Sequence, residues 1–286
     1  MELVSGQFFD FAQARESLRV AKEHNYPRPW SADKVLQQYY FCNIYREDDR
    51  TTRWFRENIR SRLSLNIKVF MATVVFRWFN RIETGEWIKD ILLEDPSNIE
   101  GIEKVLRPKQ TAHEQLFTGA YIIKSPNGKD KLSGLLHCMK IVDASVRVIL
   151  NSRYVGQERQ FTCMQALHKG LMEMPYLGPF MAYEIVTDLR HTYVLDRAID
   201  IRSWASAGPG AARGLSWLRA DRKVLPYGSA VGQEEMLEHM RSLLKESERY
   251  AWKRAWEMRE VEHALCEFDK YKRGHAGERL KRRYGQ

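Results

Sequence analysis

The segment LNIKVFMATVVFRWF, Leu65 to Phe79, carries only two charges, Lys68 and Arg77, and reads as a helix buried in a core. Broken by those two cations, it is too short to span a bilayer. Other stretches supply helical partners for it. SADKVLQQYYFCNIY places Val35, Leu36, Tyr39, Tyr40 and Ile44 on one stripe, with Ser31 as its N-cap and the extended PRPW before it. Beyond the turn at Pro126 to Gly128, the residues Leu132, Leu135, Leu136, Met139 and Val142 recur at helical spacing. EEMLEHMRSLLKESERYAWKRAWEMREVEHALCEF is laced with i, i+4 charge pairs and reads as one long helix or two. Only YIIK, just before the Pro-Asn-Gly turn, resembles a strand. The expected fold class is therefore all-α, with at most a short β-hairpin, as a single helical domain over 1–286 or two packed lobes with a cleft between them.

The 286 residues are 44% hydrophobic, which excludes wholesale disorder. A formal charge of +9 favours an anionic partner, nucleic acid first among them. Cys42, Cys138, Cys163 and Cys266 form no C-x-x-C pair and stand near no cluster of histidines. That spacing supports neither a zinc knuckle, an iron–sulfur cluster nor a disulfide framework, so free thiols, no metal and no cofactor are expected. The first residues, MELVSGQFFDFAQARES, carry Asp10 and Glu16 and do not read as a signal peptide, which points to a cytoplasmic protein. The last ones, 274–286, form a basic tail able to track phosphates or to fray into solvent.

Chemistry is most legible in GLMEMPYLGPFMAYEIVTDL, Gly170 to Leu189. A helix runs into the turn Met174–Pro179 and a second helix starts at once, which is either a plain αα-hairpin or a helix-hairpin-helix. In the second case Gly178 and Pro179 open a helix whose amides and dipole seat a DNA phosphate. Such hairpins usually carry glycine where Tyr176 stands. Phe180 occupies the place of the lysine that bifunctional base-excision glycosylases use, which disfavours Schiff-base chemistry. Downstream, Asp196 adjoins Arg197, a ready salt-bridge neighbour, whereas Asp200 is the candidate catalytic carboxylate or, alternatively, a helix N-cap. Gly208 and Gly210, flanking Pro209, make a turn whose amides can approach an anion with Arg213 beside them, though it is neither a Walker loop nor a G-x-G-x-x-G fingerprint. Tyr121 and Lys124 are candidates to line a pocket, the lysine as a phosphate contact. In YFCNIYREDDRTTRWFREN, a helix would put Arg46, Arg50 and Arg53 on one face. That face is either salt-bridged through Asp49 or aimed at a phosphate.

Five blocks occur in order: PRPWSADKVLQQYYFCNIYREDDRTTRWF, FTGAYIIKSP, MPYLGPFMAYEIVTDL, DIRSWASAGPGAARGL and REVEHALCEFDKYKRG. Together, over roughly Pro27 to Arg273, they resemble the α-glutamyl/putrescinyl thymine pyrophosphorylase group of amino acid:DNA transferases, related to the helical domain associated with 5-hydroxymethyluracil DNA kinases. The resemblance implies a DNA-glycosylase-like all-α fold, usually encoded by bacteriophages. It further implies double-stranded DNA containing hypermodified thymine, an amino acid or polyamine co-substrate, and functional coupling to a 5-hydroxymethyluracil DNA kinase. The implied reaction displaces (pyro)phosphate from phosphorylated 5-hydroxymethyluracil. Reaching that substituent favours flipping the base, and the displacement needs cations on the leaving group and a base for the incoming ammonium. Arg46, Arg50, Arg53 and Lys124 suit the first need, Asp200 or Glu47 the second, and Tyr121 or the aromatics near Trp54 suit the base. A DNA glycosylase and a non-catalytic helical module presenting DNA to a kinase remain alternatives; a kinase in its own right is disfavoured, because no nucleotide-binding loop is evident.

Overall fold

In a computed structural model, Lys68–Phe79 forms a helix that is buried from Val69 onward, while Asn66, Ile67 and Lys68 at its start are exposed. The structure describes residues 3–64, 66–121, 126, 128–153, 161–281 and 283–284, with the backbone alone along 147–153. In chain order the helices are α1 (Gly6–Glu23), α2 (Lys34–Gln38), α3 (Arg50–Phe55), α4 (Ser61–Leu63), α5 (Lys68–Phe79), α6 (Ile82–Trp87) and α7 (Lys89–Glu94). They continue with α8 (Ile99–Thr111), α9 (Lys131–Arg153), α10 (Met164–Met172), α11 (Pro179–Leu189), α12 (Pro209–Ser216), α13 (Ala230–Ser247) and α14 (Met258–His275). A 3-10 turn covers Arg46–Asp48, and a π-helical turn at Arg56–Arg60 links α3 to α4. Among the described residues there is no strand, only the isolated bridges Leu3–Arg219 and Tyr39–Arg283. The strand-like YIIK falls largely outside the described residues.

The chain divides into two units, Met1–Asp49 with Ile201–Gln286, and Arg50–Asp200. In the second, α5 is the central helix: every residue from Val69 to Phe79 is buried, and α11, α6, α7 and α9 pack around it. Phe76 stacks on Phe55 with ring centroids 4.5 Å apart. The helix stops at Asn80, whose left-handed backbone (φ 44°) lets its amide close on the Phe76 carbonyl.

The first unit is built on α14. Phe8 and Phe11 of α1 meet Phe268 at 5.7 and 5.8 Å between centroids, and Trp256 closes over Phe8 and Phe9. A capping box of Glu257 and Glu260 starts α14, and Lys272, Arg273 and His275 complement its C-terminal dipole. The long charged stretch of the sequence therefore resolves as two helices, α13 and α14. The helix expected from Ser31 is much shorter than its apolar stripe. Asp33 takes the cap by accepting the Val35 and Leu36 amides at 2.8 and 3.0 Å, and Ser31 supports it by accepting the Asp33 amide. At Tyr39 the backbone becomes extended (φ −117°, ψ 146°), so Tyr40 and Ile44 leave the helix. Tyr39 instead bridges to Arg283, and its hydroxyl accepts a hydrogen bond from the Arg283 guanidinium at 2.8 Å. The described end of the basic tail is thus docked, with Leu280 buried.

Candidate functional site

The turn after Tyr45 carries three consecutive charged side chains in the first unit. Arg46, Glu47 and Asp48 are all buried on their 3-10 turn. The continuous helix that would put Arg46, Arg50 and Arg53 on one face does not form. Asp49 has extended backbone (ψ 136°), its carboxylate accepts the Asn43 amide at 2.9 Å, and the Asn43 side chain donates to the Asp48 carbonyl at 2.8 Å. Side-chain hydrogen bonds of this kind compete directly with helix continuation. Arg50 is exposed and Arg53 half-buried, both on α3 of the second unit.

Around the turn, Glu47 and Asp48 face cations and Asp49 faces an imidazole. Asp48 Oδ2 accepts from Arg254 Nη2 at 3.1 Å, with Lys253 at 3.4 Å and Arg19 at 3.8 Å. Arg19 is held bidentate by Glu16, which drives its guanidinium pKa still higher. Glu47 stands 3.8 Å from Arg259, and Asp49 3.8 Å from His263 Nε2. Arg15 braces the loop from below, donating to the Phe41 and Cys42 carbonyls at 2.9 and 3.0 Å and to Asn43 Oδ1. Burial lowers the His263 pKa and raises that of Asp49; each partner opposes the shift without cancelling it. Both shifts favour the neutral forms, which weakens this contact as a salt bridge. Cys42 Sγ joins the pair: its sulfur, an Asp49 oxygen and a His263 nitrogen lie within 4.8 Å of one another. Sequence spacing, which suggested no metal ligands, could not reveal a trio drawn from opposite ends of the chain.

In the second unit α10 and α11 pack as a helical hairpin. Gly178 is the N-cap of α11 and Pro179 its first residue. Tyr176 takes φ 61°, so the position where such hairpins carry glycine keeps a glycine-like backbone despite its side chain. Tyr176 and Phe180 are both exposed. His168 ties the hairpin together by donating from Nε2 to the Pro179 carbonyl at 2.9 Å, and burial lowers its pKa. Tyr121 does reach this region: its ring meets Phe180 edge-on at 4.8 Å, and its hydroxyl donates to the buried Glu184. Lys124 lies outside the described residues. Glu184 and Asp188, one turn apart on an apolar helix, went unremarked in the sequence; that i, i+4 spacing was the available signal. Asp200 is placed as a cap. Its two carboxylate oxygens accept the Met164 and Gln165 amides at 2.8 and 2.9 Å, with Cys163 Sγ at 3.1 Å.

Gly208 and Pro209 open α12 in the first unit, but its inner glycines serve packing. A Cβ on Gly210 would fall 2.7 Å from Cys266 Sγ, and one on Gly214 would fall 2.2 Å from the Leu265 carbonyl oxygen. Arg213 binds buried Asp269 at 2.9 Å, alongside Arg273 at 3.2 Å. A cationic aromatic surface also lies in this unit. Lys22 Nζ sits 4.2 Å from the Tyr284 ring centroid and 4.8 Å from that of Trp30, and Arg28 lies 4.4 Å from Trp30.

An all-α chain with charge buried at a polar turn and a capped helical hairpin is the class these observations define. The family model described as 5-hmdU DNA kinase, helical domain, matches residues 2–280, and the chain belongs to that family. A curated relative, the 5-hmdU DNA kinase of Bacillus phage SP10, is 26% identical over 218 residues, which cover 68% of this chain and 32% of the relative. The chain thus spans about a third of the length of that relative. No solved structure matches it. No helix among the described residues is long and apolar enough to cross a membrane.

Proposed function

We propose that the chain acts on DNA containing 5-hydroxymethyluracil, as a transferase that displaces (pyro)phosphate from the phosphorylated base with an amino acid or polyamine. Family membership supports the DNA-modification context, and the relative's name supplies the base. The observation that carries the reading is the buried Arg46–Asp48 turn. In a low-dielectric setting, Arg46 and Arg259 are suited to the charge that develops on a leaving phosphate. Glu47, beside Arg259, is suited to take the proton lost by the incoming ammonium as the carbon–nitrogen bond forms. Asp200 is assigned to holding α10, because its carboxylate already caps that helix. In this reading the helix start at Gly208–Pro209, in the same unit as the turn, meets the DNA backbone near Arg213; within the second unit, Gly178–Pro179 is a separate DNA-backbone contact and Tyr121 with Phe180 a base-stacking pair.

A second reading has its own support: the family is the helical domain of a kinase, and this chain spans a third of its relative. In that case it is a non-catalytic module presenting DNA to the kinase. One incubation separates the two. Hydroxymethyluracil DNA is mixed with the protein, the cognate kinase, ATP, amino acids and polyamines, then digested to nucleosides and weighed. A heavier thymidine supports transfer, an unchanged phosphorylated nucleoside supports the module, and a released base would replace both readings with a glycosylase.

A further inference from the structure

Cys42 and Asp49 flank the turn that carries Arg46, and His263 projects from the second turn of α14. Three features set this trio apart from ordinary polar neighbours. His263 Nε2 is shielded from solvent and makes no hydrogen bond, a cost folded proteins ordinarily avoid. Its acid neighbour, Asp49 Oδ2, stands 3.8 Å away, outside hydrogen-bonding range. That gap is close to the ~3.4 Å between two ligands that each sit about 2.0–2.1 Å from a shared tetrahedral cation. The supporting loop is fixed by other means. Arg15 holds the Phe41 and Cys42 carbonyls, Glu267 accepts the Cys42 amide at 2.9 Å, and Asp49 uses Oδ1 on the Asn43 amide, which leaves Oδ2 for a further partner.

We propose that Cys42, Asp49 and His263 bind a divalent transition-metal ion, zinc by the chemistry of the set, with a fourth position open to water or a substrate oxygen. Thiolate, imidazole and carboxylate together match zinc among the common cations. Binding releases the thiol proton to solvent as the sulfur–metal bond forms. Thiolate and carboxylate then cancel the charge of the ion, so a neutral cluster faces Arg15, Arg46 and Arg259 while Glu267 and Lys270 stand near by. The Cys42 residue reaches the surface, which gives the ion a way in. The site stands whether or not the chain proves to be a transferase.

Cobalt(II) alone, titrated into the metal-free full chain, tests it. The expected result is a saturating visible spectrum of tetrahedral cobalt with a near-ultraviolet thiolate-to-cobalt band, both lost when zinc is added. Cys42→Ser abolishes that band and Cys163→Ser keeps it, while far-ultraviolet circular dichroism confirms that both variants stay helical. Asp49→Asn and His263→Gln weaken the titration. An octahedral aqua-cobalt spectrum from the unmodified chain, or a thiolate band that survives Cys42→Ser, overturns the proposal.

Discussion

Arg77 on α5 and Asp188 on α11 form a two-pronged ion pair that solvent reaches at neither end. Arg77 Nη2 donates to Asp188 Oδ1 at 2.8 Å and its Nε donates to Oδ2, while Asn80 and Thr52 accept two further hydrogens at 2.8 and 3.1 Å. Arg60 reaches the same carboxylate at 3.2 Å. Removing Asp188 would strand two buried guanidinium groups. Asp188→Ala is therefore expected to cost about 3–5 kcal/mol, and the joint change Arg77→Met with Asp188→Leu to recover part of that loss. Urea denaturation of the three proteins measures both; a loss below ~1 kcal/mol for Asp188→Ala would show that the pair does not lock α5 to α11.

The glycines of the two turn motifs are expected to behave differently. A methyl group on Gly214 would collide with the Leu265 carbonyl, so Gly214→Ala should force α12 away from α14 at about 1–3 kcal/mol. Gly178 has open space around it and φ −64°, so Gly178→Ala should cost less than ~1 kcal/mol, the ordinary loss of a good cap residue. Thermal melts distinguish them. Equal losses would contradict the assignment of the α12 glycines to helix packing.

The all-α class, the buried helix around Val69–Phe79 and the Pro179 helix start were all legible in the sequence, because each follows from local spacing and turn chemistry, whereas the spacing left open whether α13 and α14 were one helix or two. The break at Asp49 was not legible. It depends on Asn43 and Asp49 bonding each other's surroundings in preference to a helix, and intrinsic propensity does not register that choice. Asp200 shows a different limit: the alternative to a catalytic role was an N-cap on a helix of its own, whereas tertiary placement brings its carboxylate to the amides of α10, far earlier in the chain. His263 and Arg259 were hidden within a helix that looked like a charged surface. Their burial against Glu47 and Asp49 is set by long-range packing that sequence spacing does not encode.

His168 should make the hairpin sensitive to acid. Burial holds its pKa below the ordinary value of 6.5, so the unfolded chain binds the proton more readily than the folded one. Stability is then fully present above pH 6.5 and declines as the pH falls below it. His168→Gln should flatten that part of the stability–pH curve. Proton NMR titration of the ring should give a midpoint under 6.5, and a midpoint at or above it would remove the basis for the effect.

Lys22 offers a shift in the opposite pH range. Burial, reinforced by Arg15 and Arg28, brings its amine down from 10.5 to about 8. The folded chain therefore disfavours the ammonium, and the resulting destabilisation is relieved as the pH rises from about 8 to 10.5, so stability from this group increases through that window. After reductive methylation with a carbon-13 label, one lysine signal should titrate near 8 and vanish in Lys22→Arg. Titration of every lysine with the bulk group would contradict the burial seen beneath Trp30 and Tyr284.

Asp200 can be tested as a cap independently of any chemistry. Both of its oxygens accept amides at the start of α10, and an asparagine keeps one acceptor while losing the charge that complements the helix dipole. Asp200→Ala should cost about 1–2 kcal/mol, and Asp200→Asn clearly less. If the chain is the transferase proposed above, its modification of hydroxymethyluracil DNA should follow the folded fraction in both variants. If Asp200→Asn folds like the unmodified chain yet abolishes product, the carboxylate acts in the chemistry itself and the cap is only its support.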